Sequence, residues 1–155
     1  MNKKKESFKT TLTLQAEEKK VYDGLTKSIS EWWSEMFEGT AEQPGQTFTI
    51  RFGSQVFKTM LVEELVSGKK VVWRVIDALI DLPDLANKTE WINTHMIWDI
   101  SGTANGTVLQ LTHVGLNLDM ECYHVCVAGW QSFLYSFEKF VTTGVGTPFR
   151  LADAS

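Results

Sequence analysis

The 155-residue sequence has only two cysteines, no excess of basic charge and no long uninterrupted apolar run. Because no apolar stretch is long enough to span a bilayer, we expect no membrane-spanning helix. The formal net charge of -4 provides no basic surface of the kind that binds nucleic acid. No apolar segment follows Lys3, Lys4 and Lys5, so we interpret these lysines as a solubilising tail and expect no secretory signal.

The two cysteines, Cys122 and Cys126, are spaced one helical turn apart. Neighbours on a helix face seldom form a disulfide, so we interpret the pair as reduced core thiols in a cytoplasmic protein. His124 lies between them, but residues two apart on a helix point to nearly opposite sides. Two thiolates do not complete a tetrahedral zinc site. We therefore expect neither a metal site nor a bound cofactor.

The spacing of apolar residues predicts the secondary structure. Apolar residues at every second position predict a strand, and apolar residues at every third or fourth position predict a helix. A capping box at Ser28–Glu31 favours a second short helix that carries Trp32 and Trp33. Asp119 is a suitable N-cap for the last helix, which Gly144 ends. The predicted elements, in chain order, are strand 8–14, helix 17–25, the second short helix, strands 47–52, 56–66, 69–76, 91–101 and 107–113, and the last helix.

Two turn sequences, Ser67-Gly68 and Asn105-Gly106, predict hairpins and hence antiparallel pairing. The polar segment 81–90 is the one long connection and a candidate lid. No internal repeat or low-complexity segment divides the chain. The sequence thus predicts an α+β fold in a single domain, residues 1–155, with the last helix covering one face of an antiparallel sheet.

Aromatic residues make up 12% of the chain, with six tryptophans. Such bulky side chains are difficult to pack without gaps, so the interior is expected to hold either a pocket or a crowded, filled core. His113 shares the inward face of its strand with Leu109 and Leu111. It is either a neutral, hydrogen-bonded histidine or a polar group that orients a ligand, and less readily a general base. No serine lies in a nucleophile-elbow context.

Several segments resemble the SRPBCC (START/birch-pollen-allergen-like) superfamily, in the branch named for the activator of the ninety-kilodalton heat-shock protein's ATPase. The similar segments are Val21–Thr26 with Trp32-Trp33, Glu64–Trp73, Gly106–Leu116 and Gly129-Trp130. The resemblance implies a helix-grip fold: a curved antiparallel sheet wrapped around a long C-terminal α-helix, with two short helices after the first strand and a cavity between sheet and helix. The branch offers no catalytic motif to carry over, so we assign no catalytic residue.

The resemblance and the inward-facing residues together predict binding of a small apolar or amphipathic molecule in this cavity. The alternatives are a stress-response or co-chaperone-like interaction module with a chaperone or other protein partner, and a cyclase-like enzyme that acts on a bulky cyclic substrate. A filled core would explain the same residues. The residues predicted to line the cavity are Trp32, Phe48, Trp73, Met96, Trp98, Leu111, His113, Gly129, Trp130 and Phe133.

Overall fold

A single seven-stranded antiparallel sheet and a long C-terminal helix dominate the computed structural model, which describes residues 7–150. The lysines interpreted as a tail lie outside the described residues. The strands have the spatial order β1-β7-β6-β5-β4-β3-β2. The element bounds are β1 Phe8–Leu14, α1 Glu18–Thr26, β2 Phe37–Gly39, β3 Thr47–Phe52, β4 Val56–Val66, β5 Lys70–Ile80, β6 His95–Thr103, β7 Gly106–Val114 and α2 Tyr123–Thr143.

The predicted α+β fold and its antiparallel pairing are confirmed. The turn at Asn105 joins β6 to β7, which pair from Thr103–Gly106 to His95–Val114. β1 returns from the start of the chain to pair with β7, with Phe8 opposite His113. The sheet curves, and α2 packs on its inward face. No helix within residues 7–150 is long and apolar enough to cross a membrane.

The predicted second short helix is reduced to a single turn and does not carry Trp32 and Trp33. Residues Ile29–Glu31 form one 3₁₀ turn, Ser28 makes no side-chain cap hydrogen bond, and the chain then continues into β2. The physical reason lies in Trp32 and Trp33, whose rings stack with centroids 5.3 Å apart while both are buried. Consecutive side chains of an α-helix diverge and cannot face one another in this way. Burial of both rings therefore excludes a helix here.

Two strand boundaries differ from the prediction by four residues each. β6 begins at His95 and not at residue 91, because Asn93 takes a positive φ of 71° and breaks the extended chain. β5 continues to Ile80, four residues past the predicted end, because its second half pairs with the start of β4. The segment 81–94 is therefore a longer connection than the sequence indicated, and it includes Trp91.

Helix α2 confirms the predicted long helix, but it begins four residues after the predicted cap. Its N-cap is Cys122, which makes no side-chain cap hydrogen bond, and not Asp119. The C-cap prediction is confirmed: Gly144 has a φ of 88°, a left-handed conformation that glycine adopts without steric cost. The buried stripe of the helix contains Cys126, Trp130, Leu134, Ser136, Phe137 and Val141.

All six tryptophans of the chain belong to one connected cluster between the sheet and α2. The ring of Trp33 contacts three other tryptophan rings of the cluster. Its centroid lies 5.3 Å from that of Trp32, 5.9 Å from that of Trp73 and 5.1 Å from that of Trp130. Trp98 contacts Trp73 and Trp130 edge-on. Aromatic pairs in these geometries contribute about 0.5–1.5 kcal/mol each beyond the area that they bury. The middle of the expected cavity is thus filled by indole rings.

Candidate functional site

An apolar pocket of about 170 Å³ remains at one end of the tryptophan cluster, between the sheet and the first half of α2. Its walls come from strands β3 to β5, from the 81–94 connection and from α2. The lining residues are Trp33, Phe52, Val56, Lys58, Ile80, Leu82, Trp91, Val125, Cys126, Gly129, Trp130 and Phe133. Val125, at 53% exposure, marks the side on which the pocket opens to solvent.

Gly129 lies in the interior of α2 and lines the pocket. A Cβ built at this position would meet no other atom within 4 Å. Gly24 in α1 is different, because a Cβ there would lie 2.9 Å from the ring of Phe137. Close packing therefore explains glycine at position 24, whereas at 129 the missing side chain leaves open space.

The 81–94 connection closes one side of the pocket and is held to the start of α2 by two glutamates. The carboxylate of Glu121 accepts hydrogen bonds from the backbone N–H groups of Ala86 and Asn87, at 3.3 and 2.6 Å. In return, Glu90 accepts from the N–H groups of Glu121 and Cys122, at 3.1 and 3.2 Å. A carboxylate at a helix N-terminus also interacts favourably with the helix dipole. Glu90 thus provides the cap that Asp119 was expected to provide.

Cys126 places its sulfur beside Trp91, whose indole N–H donates to Sγ at 3.1 Å. Both cysteines are buried free thiols. The thiol of Cys122 donates to Cys126, which lowers the pKa of Cys126, and the nearby Lys58 acts in the same direction. The same hydrogen bond raises the pKa of Cys122. Cys126 is therefore the more acidic thiol of the pair.

Among the described residues, Lys58 is the one lysine or arginine that lines the pocket. Its Nζ lies 3.9 Å from the ring centre of Trp91 and 5.1 Å from that of Phe52. Burial lowers the pKa of Lys58 to about 8, although Cys126 and Cys122 act to raise it. An ammonium group among aromatic rings is compensated in part by cation–π attraction.

His113 is fully buried, as predicted, and both of its ring nitrogens have partners. Trp130 donates its indole N–H to Nδ1 at 3.0 Å, and Nε2 lies 2.8 Å from the hydroxyl of Thr94. That hydroxyl donates to the carbonyl oxygen of Trp91 at 2.7 Å. Burial lowers the pKa of His113 to about 3. The histidine is thus neutral and hydrogen-bonded, with no ring nitrogen left for proton transfer.

The structure brings three of the ten predicted cavity residues to the pocket: Gly129, Trp130 and Phe133. The other seven lie in the packed core behind it. These seven are Trp32, Phe48, Trp73, Met96, Trp98, Leu111 and His113, each at most 1% exposed.

Sequence reasoning missed Lys58, Trp91 and Cys126 as pocket residues. The signal for Lys58 was present, because it shares the strand parity of Met60 and Val62, which are both buried. The same parity argument identified His113 as inward-facing. Trp91 was expected to begin strand 91–101, but it lies in an irregular connection, where strand parity does not give the direction of its side chain.

A larger concavity of about 1650 Å³ lies between α1 and the tips of two hairpins. It is open to solvent, has a lining of mixed polar and apolar surface, and is crossed by an ion pair between Lys69 and Glu18. Ligand sites are usually enclosed and mostly apolar, which favours the smaller pocket. Within residues 7–150, no three histidine, cysteine, aspartate or glutamate side chains are arranged to hold a metal ion.

Sequence comparison shows the family to which this chain belongs. The profile of the family described as "Activator of Hsp90 ATPase homolog 1-like protein" matches residues 15–142. The chain belongs to this family. No curated protein sequence matches significantly.

Many solved structures share the fold, and the following three are examples. The solution structure of the Aha1 dimer from Colwellia psychrerythraea is 21% identical, with a TM-score of 0.73 over 90% of this chain and 98% of that chain. A crystal structure from Mesorhizobium loti is 17% identical, with a TM-score of 0.72 over 88% and 96%. DynU16, from the dynemicin biosynthetic locus, is 15% identical, with a TM-score of 0.71 over 91% of this chain and 49% of that chain. At these identities the likeness shows the fold alone.

Proposed function

We propose that this protein binds a small apolar or amphipathic molecule in the pocket between the sheet and α2. The observation that carries the proposal is Gly129. A glycine inside a helix costs about 1 kcal/mol relative to alanine, and no neighbouring atom here requires its small size. The space beside it belongs to the pocket. A side chain at this position would occupy the volume that a ligand needs.

The dimensions of the pocket limit the ligand. Its volume of about 170 Å³ is similar to that of an engineered apolar cavity of about 150 Å³ that binds benzene. The enclosed part of the ligand is therefore about the size of one aromatic ring or a short acyl chain. A bulky cyclic substrate would not fit, and His113 faces the core, so the geometry does not support the cyclase-like alternative.

The test uses benzyl alcohol as a neutral probe. Tryptophan fluorescence measures binding of the probe directly, because Trp33, Trp91 and Trp130 line the pocket. We expect saturable binding to the wild-type protein with a Kd below about 1 mM. Gly129→Leu should fill the pocket and weaken binding at least tenfold while leaving the thermal stability unchanged or higher. Native mass spectrometry of freshly purified protein would add the mass of any small molecule that co-purifies.

Ala128→Leu is the matched control, because Ala128 precedes Gly129 on the same helix and is exposed. It should bind benzyl alcohol as the wild type does. Equal affinity in the wild type and Gly129→Leu, or the lack of saturable binding in the wild type, would contradict the proposal.

A protein-interaction module of the co-chaperone kind is the second candidate. It is supported by the family membership and by two exposed apolar side chains, Leu118 and Val125, at 58% and 53% exposure. Gly129→Leu separates the two functions, since it fills the pocket and leaves Leu118 and Val125 themselves unchanged. A cellular phenotype that this variant leaves intact would favour the interaction module.

A further inference from the structure

The charge inside the pocket indicates what kind of molecule it binds. Lys58 extends from β4 into a space lined otherwise by aromatic and aliphatic side chains and by the Cys126 thiol. Within residues 7–150 its ammonium group has no hydrogen-bond acceptor and no carboxylate within 4 Å. Its close contacts are the ring faces of Trp91 and Phe52. A ring face attracts the charge but does not replace the hydrogen bonds that water would make.

Four acidic side chains on the neighbouring segments already have partners. Glu90 accepts hydrogen bonds from the start of α2, and Glu121 accepts them from the 81–94 connection. Asp81 lies 3.4 Å from the ammonium group of Lys88. Glu63 contacts Arg74 and His95. Lysines without an ion pair elsewhere, such as Lys9 and Lys139, are exposed to water. Lys58, by contrast, is only partly exposed and has no carboxylate partner among the described residues; the groups that interact favourably with its charge are the Cys126 and Cys122 thiols.

We propose that the pocket binds an amphipathic anion, a small carboxylate whose oxygens accept hydrogen bonds from Lys58 Nζ and whose apolar body lies beside Phe133 and Trp130. This inference rests on the proposed function and specifies its ligand class. A single ammonium group matches a single negative charge, and the apolar lining selects a compact hydrocarbon body. The ligand would supply the acceptors that the protein itself does not place around Lys58.

The experiment compares three probes of nearly equal size that differ in charge at neutral pH: benzoate, benzyl alcohol and benzylamine. Each is titrated into the wild type, Lys58→Met and Lys9→Met, with calorimetry or tryptophan fluorescence as the readout. Methionine keeps the length of the lysine side chain without its charge. Lys9→Met is the matched control, since Lys9 is an exposed lysine on β1 and its replacement changes the net charge equally.

We expect the wild type and Lys9→Met to bind benzoate at least tenfold more tightly than benzyl alcohol, and benzylamine most weakly. Lys58→Met should lose the preference for benzoate and retain or improve its affinity for benzyl alcohol. If Lys58→Met does not fold, the relative affinities of the wild type for the three probes still test the preference for an anion. Equal wild-type affinity for benzoate and benzyl alcohol would overturn the anion inference and leave the proposed function in place. Failure of all three probes to bind would overturn both.

Discussion

Trp130 donates its indole N–H to Nδ1 of His113 at 3.0 Å, and this bond determines the tautomer of the histidine. An indole nitrogen can only donate, so Nδ1 must accept and the proton of the neutral ring must lie on Nε2. Nε2 then donates to the Thr94 hydroxyl, whose own proton goes to the carbonyl oxygen of Trp91. Helix α2, strand β7 and the 81–94 connection are thereby joined through one buried ring.

Protonation of His113 would place two donors against each other at Nδ1, which leads to a prediction about stability and pH. The pKa of His113 is about 3 in the folded protein, against an ordinary value of 6.5. Between these values the unfolded chain takes up a proton that the folded protein does not, so stability falls as the pH is lowered from about 6.5 towards 3. Each pKa unit corresponds to about 1.4 kcal/mol.

His113→Leu should therefore be less stable than the wild type at pH 7, by about 1–3 kcal/mol for the unpaired groups it leaves, and the difference should shrink as the pH falls. Urea unfolding at pH 7, 5.5 and 4.5 measures this. Thr94→Val is the control: it removes the hydrogen bonds to His113 Nε2 and to the carbonyl oxygen of Trp91 but keeps the histidine buried, so its stability should depend on pH as that of the wild type does. If the unfolding free energy of His113→Leu depends on pH as steeply as that of the wild type, another group causes the pH dependence.

Phe133 and Phe137 lie one helical turn apart on α2 and test the boundary between pocket and core. Phe137 is fully buried against Trp32, with ring centroids 5.0 Å apart. Phe137→Ala should cost about 3–5 kcal/mol of unfolding free energy. Phe133 is partly buried and lines the pocket, so part of its ring already lacks packing partners. Phe133→Ala should cost less than half as much, yet weaken benzyl alcohol binding severalfold. Equal destabilisation by the two variants would mean that the pocket is closed and filled.

The carboxylate of Glu121 holds the 81–94 connection to α2, and removing it should loosen that connection. Hydrogen bonds to a charged group contribute about 1.5–3 kcal/mol. We expect Glu121→Ala to raise hydrogen exchange at the Ala86 and Asn87 amides at least tenfold while the sheet amides remain protected. Asp84→Ala, a change at an exposed carboxylate in the same connection, should leave exchange at both amides unchanged. Unchanged exchange in Glu121→Ala would show that other contacts hold the segment.

Much of the fold follows from local pattern. The alternation of Leu109, Leu111 and His113 predicted β7 and its inward face, and the turn at Asn105 predicted its pairing with β6. The apolar repeat that includes Trp130 and Phe137 predicted the buried stripe of α2. Such patterns are readable because a strand or a helix fixes the direction of each side chain from its position alone.

The pocket cannot be predicted from local sequence pattern, because its position depends on which space the tryptophan side chains leave unfilled. Stacking of Trp32 on Trp33 overrode a local helix signal, and the cluster filled the space expected to be the centre of the cavity. Trp91 reaches the pocket from an irregular connection whose path depends on Asn93 and on the two glutamates at the start of α2.

The sequence by itself determined the order of six of the seven strands and of helices α1 and α2, the two antiparallel hairpins and the buried faces of β7 and α2; it did not predict β2. Only the tertiary structure decided that Gly129 opens onto a void and that Lys58 shares it. Periodicity reports the direction in which a side chain points, whereas a void is the difference between the volume that the backbone encloses and the volume that all the inward-pointing side chains occupy together.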